Sequence, residues 1–415
     1  MKNICCVILA AGEGTRMKSR VPKVLHPICG RPMIAYTIDL VKKLGIKNTI
    51  VVLGHKEREI RKYLPPNIKI AVQKKLLGTA DALKSALSLL KGFKGTLLVL
   101  YADNPLLTPE TVKGLLKHHR ENNFSATLLT ANLENPSGYG RILRDKYNCV
   151  RKIVEEGEAN DFEKEIKEIN TGIMCFAKDK LISAIAKIRA HNKKKEYYLT
   201  DAVEILYKKG EIIGTLKTKQ TDEVWGVNSQ EDLAKANNVM RQRILKIHLE
   251  RGVGIKDPAT TFIDWDVKIG QDSVIYPFTV IESGVKIGRR CLVGPFCHLR
   301  EGTILKDDVV AGNFLEIVRS HILDKTLLKH FGYIGDSRIG KKVNIGAGTV
   351  TANFDGGRKN RTIIKDRAFI GSDTVFIAPV KIGKGAITGA GCVITKNSNI
   401  GDKVTVAGVP AKILR

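Results

Sequence analysis

A six-residue repeat in the C-terminal part of the sequence restricts the fold more than any other feature. Aliphatic or small residues occupy every sixth position over two runs, which comprise Ile263, Ile269, Ile275, Ile281, Ile287, Val293, Leu299, Leu305 and Ala311, then Ile364, Ile370, Phe376, Ile382, Thr388, Ile394, Ile400 and Val406. In a repeat of this kind each six-residue segment forms one flat side of a coil. Three sides make one triangular coil, and the aliphatic positions of successive coils stack into one interior. The repeat predicts a left-handed parallel β-helix, because the strands and turns of an irregular sandwich would not keep so strict a spacing.

The repeat changes phase between the two runs. Ile339, Ile345 and Thr351 keep the six-residue spacing but are offset from the positions before and after them. We therefore expect insertions near residues 318–332 and 353–363.

The first expected insertion contains the segment HFGYIGDS (330–337), so His330 and Tyr333 are predicted to lie in an inserted loop. A neutral imidazole can accept the proton of an attacking amine, and a carboxylate can orient that imidazole. Glu316 precedes the segment and is the carboxylate considered for this role. Fold alone does not establish an acyltransferase, so these residues are the basis of that hypothesis.

The first half of the chain has a different rhythm. Residues 1–228 alternate short aliphatic runs with amphipathic stretches, as in ICCVILA, PMIAYTIDLVKKLG and TIVVLG. This order predicts βαβ units and a Rossmann-like α/β domain with a mainly parallel sheet. Residues 229–251 predict a linker helix with Ser229 and Asp232 as a capping pair, and 252–415 form the β-helix domain. The expected apolar face of the linker helix consists of Leu233, Ala236, Met240, Ile244 and Ile247.

The composition argues against a membrane or nucleic-acid protein. Hydrophobic residues make up 43% of the 415 residues, but no apolar run approaches the ~20 residues of a membrane span. The net charge of +27 suggests phosphate neutralisation. Its lysines are nevertheless spread along the chain, and the dense cluster HNKKK (191–195) has no interleaved aromatic residues. We expect a soluble protein whose positive field steers phosphorylated substrates, with no nucleic-acid partner.

The cysteines and the N-terminus indicate a cytoplasmic location. The eight cysteines form no CxxC motif or metal-ligand spacing, so we expect small buried side chains in a reducing compartment. The first apolar stretch runs into a glycine-rich turn followed by Arg16 and Lys18. This pattern is typical of a buried first strand and not of a signal peptide.

A glycine-rich loop follows the first strand. In LAAGEGTRM (9–17), Gly12 and Gly14 would allow backbone N–H groups to approach phosphate oxygens. Arg16 and Lys23 would provide the fixed positive charge that a leaving pyrophosphate needs. The loop lacks the GxxxxGK[ST] pattern, so P-loop hydrolysis of ATP is not indicated.

Asp103 stands just after the predicted strand TLLVL. Open α/β sheets place their ligands at the carboxyl ends of strands, and carboxylate oxygens suit Mg²⁺ that bridges phosphates. The alternative is a solvated surface carboxylate.

A series of motifs in this order resembles the sugar-nucleotide pyrophosphorylases. Over nearly its whole length the chain resembles the bacterial bifunctional N-acetylglucosamine-1-phosphate uridyltransferase/glucosamine-1-phosphate N-acetyltransferase family. The motifs are the loop 9–23, Gln73 with LGTA (77–80), YAD (101–103), GYGRI (138–142), Glu155, NTG (170–172), EYYLTD (196–201) and GVN (226–228).

The resemblance implies a UTP and UDP-sugar site in the first domain. Gln73 and Gly78 would contact the uracil, Asp103 and Asn228 would hold Mg²⁺, and Arg16 and Lys23 would be catalytic. The other implied contacts to nucleotide and sugar are Leu9, Gly12, Gly14, Thr79, Tyr101, Gly140, Glu155 and Asn170, the last three toward the N-acetylhexosamine.

For the second domain the resemblance implies an acetyl-CoA-dependent acetyltransferase and a homotrimer with sites between neighbouring β-helices. His330 would be the base and Glu316 its support. The sugar 1-phosphate would contact Arg300, Tyr333, Asn344 and Lys359, and acetyl-CoA would contact Asn353, Ser372 and Ala390.

Two alternatives remain open at this stage. The chain could transfer another nucleotide or act on another sugar, as a thymidylyltransferase does, or it could be a non-catalytic subunit of a regulatory assembly. Retention of Arg16, Lys23, Asp103 and Asn228 favours an enzyme. The sequence also departs from the family's pattern, because Val318 stands where the family has a lysine, and it ends before the tail that helps to close the acetyl-CoA site. Both departures bear on the acetyltransferase alone.

The substitution Val318→Lys is a test of the first departure. We expect Ile317 to point into the β-helix and Glu316 and Val318 to point outward, while Arg319 faces inward or begins an insertion and cannot replace the lysine. One charge-assisted hydrogen bond to phosphate is worth about 1.5–3 kcal/mol. Wild-type enzyme should therefore acetylate glucosamine 1-phosphate with a high KM, and Val318→Lys should lower it about ten- to a hundredfold in steady-state kinetics. An unchanged KM would show that other residues bind the phosphate.

Overall fold

The computed structural model of the protein describes residues 3–414. The chain divides into two compact units, Met1–Val239 and Met240–Arg415. The first unit is an α/β domain with a mainly parallel sheet and the second is a left-handed parallel β-helix, so the predicted fold class is confirmed.

The first unit alternates strands and helices, as its sequence pattern predicts. Its strands are β1 Ile4–Ala10, β2 Pro27–Ile28, β3 Arg31–Pro32, β4 Asn48–Leu53, β5 Lys69–Val72, β6 Thr96–Tyr101, β7 Ala126–Asn132, β8 Gly140–Arg144, β9 Val150–Val154, β10 Glu168–Ala177 and β11 Ile213–Thr218. The helices are α1 Met33–Lys43, α2 Glu57–Arg61, α3 Thr79–Ser85, α4 Pro109–Glu121, α5 Asp161–Lys164, α6 Lys178–Ile185 and α7 Asp201–Lys208, and α8 Gln230–Glu250 spans the boundary between the units. Short 3₁₀ turns cover Thr15–Met17, Lys23–Leu25, Leu87–Leu90 and Thr221–Val224.

The main sheet has the strand order β11-β7-β10-β6-β1-β4-β5. Strands β6, β1, β4 and β5 are parallel, and β10 runs antiparallel to β6 and β7. Alternate residues of β1 pack into two separate cores, with Val7 on one face of the sheet and Ile8 on the other. Helices α3, α6 and α7 cover the first face, and α1, α2 and α4 cover the second. This three-layer arrangement brings the carboxyl ends of β1 and β6 to the same edge.

The second unit consists of three parallel sheets that form the sides of the β-helix. The first side contains Gly254–Ile255, Val274–Ile275, Leu292–Val293, Val310–Ala311, Leu327–Leu328, Asn344–Ile345, Phe369–Ile370, Ile387–Thr388 and Thr405–Ala407, with Lys412–Ile413 antiparallel at its end. The second contains Phe262–Ile263, Val280–Ile281, Cys297–Leu299, Leu315–Val318, Gly332–Gly335, Thr349–Ala352, Val375–Ile377 and Val393–Ile394. The third contains Lys268–Ile269, Lys286–Ile287, Ile304–Leu305, His321–Ile322, Ser337–Ile339, Thr362–Ile364, Val380–Ile382 and Asn399–Ile400.

The interior of the β-helix is built from the predicted repeat positions. Most of them are at most 5% exposed, including Ile281, Leu299, Ile370 and Phe376. Burying each large aliphatic side chain contributes roughly 1.5–3 kcal/mol to the stability of the fold. Because every coil buries such side chains, this contribution is made along the whole unit.

The phase change near residue 320 is not an insertion, so that expectation is wrong. The interior positions run from Ile317 to Ile322 and from Ile334 to Ile339, and each of these steps spans five residues in place of six. Two shortened sides shift the phase while the coils continue without interruption. Consequently neither predicted residue lies in an inserted loop: His330 is at the corner after strand Leu327–Leu328, and Tyr333 lies within a strand, paired with Glu316.

The second expected insertion is confirmed. Thr351 and Ile364 are consecutive interior positions separated by 13 residues, so seven residues are added to the usual six. The added segment forms an exposed loop in which Asp355 accepts backbone hydrogen bonds from Gly357 and Arg358.

The predicted linker helix is α8, and its capping pair is confirmed. The Ser229 N–H donates to Asp232 Oδ2 at 2.9 Å, and the Asp232 N–H donates to Ser229 Oγ at 3.1 Å. The predicted apolar face is wrong at Ile247, which is 44% exposed. The buried residues in this part of the helix are Ala236, Ile244, Leu245 and His248, because its burial follows a 3.6-residue period that passes through position 248.

None of the helices described between residues 3 and 414 has the length and apolarity of a membrane span.

The eight cysteines have free thiols, and six are buried as expected. Cys149 is exposed and Cys29 is half-buried, so the expectation of burial is wrong for these two.

A pair of Ile→Ala substitutions tests the assignment of the β-helix interior. Ile370 is fully buried, whereas Ile377 in the next strand is 39% exposed. We expect Ile370→Ala to lower the free energy of unfolding by about 2–4 kcal/mol through lost burial and a cavity, and Ile377→Ala by less than about 1 kcal/mol. Denaturant unfolding of the full chain measures both. Equal losses would contradict the assigned orientation.

Candidate active sites

A cleft of about 390 Å³ lies at the carboxyl ends of β1 and β6. Parallel strands end at one edge of the sheet, so loops that are far apart in sequence meet there. Eight of the predicted nucleotide-site residues line this cleft, namely Leu9, Gly12, Lys23, Gln73, Gly78, Thr79, Tyr101 and Asp103.

Two glycines are required by geometry, Gly78 in the cleft wall and Gly14 beside Lys23. Gly14 has a φ of +70°, and a Cβ there would lie 2.7 Å from Lys23 Cβ. Gly78 has a φ of +107°, and a Cβ there would lie 2.6 Å from the Tyr197 carbonyl oxygen. Both positions therefore exclude any side chain. A Cβ on Gly12 would meet no atom within 4 Å, so this side of its backbone is accessible to a ligand.

The floor of the cleft is fixed by hydrogen bonds to the EYYLTD segment. The Ala80 N–H donates to the Tyr197 carbonyl at 2.9 Å, and the Leu199 N–H donates to Thr79 Oγ1 at 2.9 Å. Gln73 is buried, and its Nε2 donates to Asp81 at 2.8 Å and to the Gly78 carbonyl at 3.1 Å.

Lys23, Asp103 and Asn228 form one cluster at the mouth of the cleft. Lys23 Nζ donates to Asp103 Oδ2 and, at 3.0 Å, to Asn228 Oδ1. The Val227 N–H donates to the Asp103 carbonyl at 2.9 Å, which fixes the Asn228 segment beside β6. The carboxylate and amide oxygens of this cluster are the hard ligands that Mg²⁺ prefers.

Glu223 positions the same segment, and sequence analysis did not identify it. Its carboxylate is fully buried and accepts hydrogen bonds from Thr108 Oγ1 at 3.0 Å and Thr111 Oγ1 at 2.6 Å, at the N-terminus of α4. The Asn104 amide also donates to the Val224 carbonyl at 3.3 Å. A Thr-Pro pair at the start of α4 was the available signal, since it predicts an N-terminus that attracts an anion.

None of the three predicted sugar contacts, Gly140, Glu155 and Asn170, lines the cleft itself, although the charge of Glu155 acts on Tyr101, which does. Gly140 adjoins Glu155, because a Cβ on Gly140 would lie 3.5 Å from Glu155 Oε2. Thr200 Oγ1 donates to Glu155 Oε1 at 2.9 Å, while burial raises the pKa of Glu155. Asn170 is buried, and its Oδ1 accepts the Gly172 N–H at 3.2 Å.

Tyr101 is buried enough to perturb its phenol, whereas Arg16 is exposed. Burial, together with the charges of Glu155 and Asp103, raises the pKa of Tyr101, so its phenol stays protonated. Arg16 lies on the 3₁₀ turn Thr15–Met17, is exposed, and is not among the residues that line the cleft.

A second cavity of about 520 Å³ lies on the first side of the β-helix. Four of the predicted acetyl-site residues line it, namely His330, Asn344, Ser372 and Ala390. Phe369 and Ile387 contribute an apolar wall. His330 is exposed at the corner that follows strand Leu327–Leu328.

The other predicted residues gather on the second side. Arg300 donates to Glu316 Oε1 at 2.8 Å, and Glu316 is paired in register with Tyr333 of the next coil. Glu316 makes no hydrogen bond to His330 within the described residues. The neighbours Glu282 and His298, joined at 2.8 Å, were missed because nothing local in the sequence distinguishes them from other outward-facing residues.

The seven-residue insertion carries the last two predicted residues. Asn353 is buried and its amide donates to Asp336 Oδ2. Lys359 is exposed on the loop, and its charge helps to lower the pKa of Asp336, after the larger effects of Arg319 and Asn353.

The expectations for residues 318 and 319 need correction. Val318 is only 3% exposed, so it is covered and does not present an open outward surface. Arg319 neither faces inward nor begins an insertion. It lies at a corner with a φ of +46° and donates to both carboxylate oxygens of Asp336, at 2.7 and 2.8 Å.

Known proteins match both halves. Residues 6–200 match the model of a MobA-like NTP transferase domain, and residues 266–301 and 361–396 match that of the bacterial transferase hexapeptide (six repeats). The chain is 42% identical to the bifunctional protein GlmU of Acetivibrio thermocellus, over 95% of this chain and 93% of that one. The chain belongs to the GlmU family. The GlmU of Geobacillus thermodenitrificans is also 42% identical, over 94% and 92% of the two chains.

Membership of the GlmU family makes the chain a bifunctional enzyme, with uridylyltransferase and acetyltransferase activities in UDP-N-acetylglucosamine synthesis. A crystal structure of UDP-glucose pyrophosphorylase complexed with UDP-glucose superposes with a TM-score of 0.50, covering 59% of this chain and 100% of that one. At 20% identity this likeness shows the fold alone.

The pH dependence of stability tests the electrostatics beside Glu155. Burial, then the charges of Glu155 and Glu204, raise the pKa of Asp201 to about 6. An unfolded Asp titrates near 3.9, so the folded protein binds the proton more tightly and loses stability as pH rises from about 4 to 6.

We therefore expect Asp201→Asn to raise the free energy of unfolding above pH 6, by about 1–2 kcal/mol after allowance for solvent access. Near pH 4 the variant and the wild type should be equal. Denaturant titrations at both pH values measure the difference. The control is Asp179→Asn, whose side chain is 83% exposed. A gain that did not depend on pH would contradict the argument.

Proposed function

We propose that the first unit transfers a uridylyl group from UTP to N-acetylglucosamine 1-phosphate and releases pyrophosphate. The observation that carries the proposal is the cluster of Lys23, Asp103 and Asn228 beside the glycine loop. It combines a cation for phosphate with two oxygen ligands for Mg²⁺, and two of its members, Lys23 and Asp103, line the cleft. We assign this site to residues 1–228, the linker to 229–251 and the acetyltransferase to 252–415.

The residues of the cluster fit Mg²⁺. No group of three or more His, Cys, Asp or Glu side chains in residues 3–414 could hold a metal ion. Asp103 and Asn228 alone would hold Mg²⁺, with phosphate and water oxygens completing its shell, as is usual for this ion. When bound, Mg²⁺ neutralises phosphate charge.

The protein's own contribution to uridylyl transfer is positioning and charge. Gly12 and Gly14 expose backbone N–H groups to the triphosphate, and Lys23 with Arg16 stabilises the charge of the leaving pyrophosphate. A sugar phosphate oxygen attacks the α-phosphorus in line, forms the new P–O bond and breaks the bond to pyrophosphate, so no covalent nucleophile is needed.

Recognition is divided between residues of the cleft and a second group outside its lining. Gln73 and Gly78, with Leu9 and Thr79 nearby, bind the uracil nucleoside. Gly140, Glu155 and Asn170 bind the N-acetylhexosamine beside Tyr101. Burial raises the pKa of Glu155, so its carboxylate is poorly solvated and would be stabilised by hydrogen bonds donated by sugar hydroxyls.

For the second unit we infer acetyl transfer from acetyl-CoA to glucosamine 1-phosphate. His330 accepts a proton from the attacking amine, the new C–N bond forms, and the thiolate of coenzyme A leaves. Arg300, Tyr333, Asn344 and Lys359 bind the sugar phosphate. Asn353, Ser372 and Ala390 bind acetyl-CoA.

A homotrimer accounts for the split between the two clusters. His330 lines the cavity on the first side of the β-helix, while Glu316 and Arg300 face outward from the second side. Copies packed side by side would bring the two clusters into one site. Three exposed phenylalanines, Phe278, Phe296 and Phe314, also stack at 4.8 Å along one corner, an apolar stripe suited to burial between copies. We place the assembled enzyme in the cytoplasm.

Separate loss of the two activities tests the two-site assignment. Asp103→Ala should lower uridylyl transfer by a factor of 10² or more, because removal of one electrostatic group costs about that much, and should leave acetylation unchanged. His330→Ala should lower acetylation about 10²- to 10⁴-fold and spare uridylyl transfer.

Pyrophosphate release with a panel of nucleoside triphosphates and sugar 1-phosphates, and thiol release from acetyl-CoA, measure the two reactions. Sedimentation should show that the full chain and both variants are trimers. Equal loss of both activities in a trimeric variant would refute two independent sites, and thymidylyl transfer exceeding uridylyl transfer would refute the assigned nucleotide.

A further inference from the structure

The Lys23 ammonium occupies the position that a divalent cation would take between Asp103 and Asn228. It donates to Asp103 Oδ2 and Asn228 Oδ1, one oxygen of each residue proposed to hold the ion. The Lys23 and Asp103 side chains are only 13% and 18% exposed, so solvent screens this pair weakly.

The surrounding structure holds the ammonium in place. Lys23 Cβ fits against Gly14, where a side chain would come within 2.7 Å. The Asn228 amide nitrogen donates to the Gly226 carbonyl at 3.2 Å, which turns its oxygen toward Lys23. The backbone on both sides of the pair is also fixed, by the 3₁₀ turn that begins at Lys23 and by the hydrogen bond from Val227 to the Asp103 carbonyl.

An ammonium in this position and a divalent cation exclude each other. Mg²⁺ needs its oxygen ligands at about 2.0–2.1 Å in octahedral geometry, whereas the ammonium already fills the space between the Asp103 and Asn228 oxygens. Two positive charges at such a separation also repel each other strongly in a partly buried site. The cation can therefore enter only after Lys23 has moved.

The nucleotide's phosphates provide a reason for Lys23 to move. The glycine loop adjoins Lys23 through Gly14 and leaves Gly12 open, so a triphosphate bound there would offer oxygens within reach of the lysine side chain. Phosphate carries more charge than the single carboxylate that Lys23 gives up.

We propose that Lys23 is an internal cation that blocks the metal site of the free enzyme and leaves it when nucleotide phosphates bind. The inference rests on the proposed function, because it takes Asp103 and Asn228 as the metal ligands. Divalent metal thus binds weakly to the free enzyme, since only the minor conformation with Lys23 displaced is competent.

Mn²⁺ titration of the full-length enzyme without nucleotide, followed by electron paramagnetic resonance, tests this proposal. Lys23→Met keeps the length of the side chain but removes the charge, and it should bind Mn²⁺ at least tenfold more tightly than wild type. Lys23→Arg keeps a cation and should stay close to wild type. Arg16→Met is the matched control, because it removes a positive charge from the same loop and should not change Mn²⁺ affinity.

The double variant Lys23→Met/Asp103→Ala locates the metal, and circular dichroism checks that each variant is folded. Loss of the gained affinity in the double variant supports the proposal. If Lys23→Met gains no affinity while Asp103→Ala still abolishes uridylyl transfer, the blocking role is overturned and the proposed function stands. If the gain persists without Asp103, both the blocking role and the ligand assignment are overturned.

Discussion

Parallel strand pairing is the constraint on which both units of this protein depend. A strand can pair parallel to its predecessor only after the chain has returned to the same end. In the first unit helices make that return, so the loops after β1 and β6 meet at one edge of the sheet. In the second unit a three-sided coil makes the return. Each coil then places its outward residues directly beside those of the last, as His298, Glu316 and Tyr333 show.

The two geometries lead to different electrostatics. The cleft of the first unit is partly buried, and there Lys23 is paired with Asp103; burial also raises the pKa of Glu155 in the same unit. The outward surface of the β-helix is more exposed, and ion pairs such as Arg300 with Glu316 are individually weak. Strand register holds these side chains in place.

Much of the fold and of the first site could be predicted because the relevant signals are local. An interior position every six residues identifies the β-helix, and a strand followed by Gly12 and Gly14 identifies a phosphate loop. The phase change near residue 320 could not be interpreted in the same way. Ala311 and Ile339 are 28 residues apart. With six residues to a side, this distance fits either four sides plus a four-residue insertion or five sides that have lost two residues in total. Periodicity cannot distinguish these cases, and strand pairing shows the second.

The sequence by itself determined which residues face an interior and which loops end a strand, since both depend on the alternation of side chains along the backbone. Only the tertiary structure decided what covers an outward residue or meets a loop. Val318 is buried although its neighbour Ile317 is the interior residue of that strand, which the alternation of side chains does not predict. Lys23 contacts Asp103 and Asn228, 80 and 205 residues away, because those segments converge at one edge of the sheet. Such contacts depend on how distant segments pack together, which no local pattern encodes.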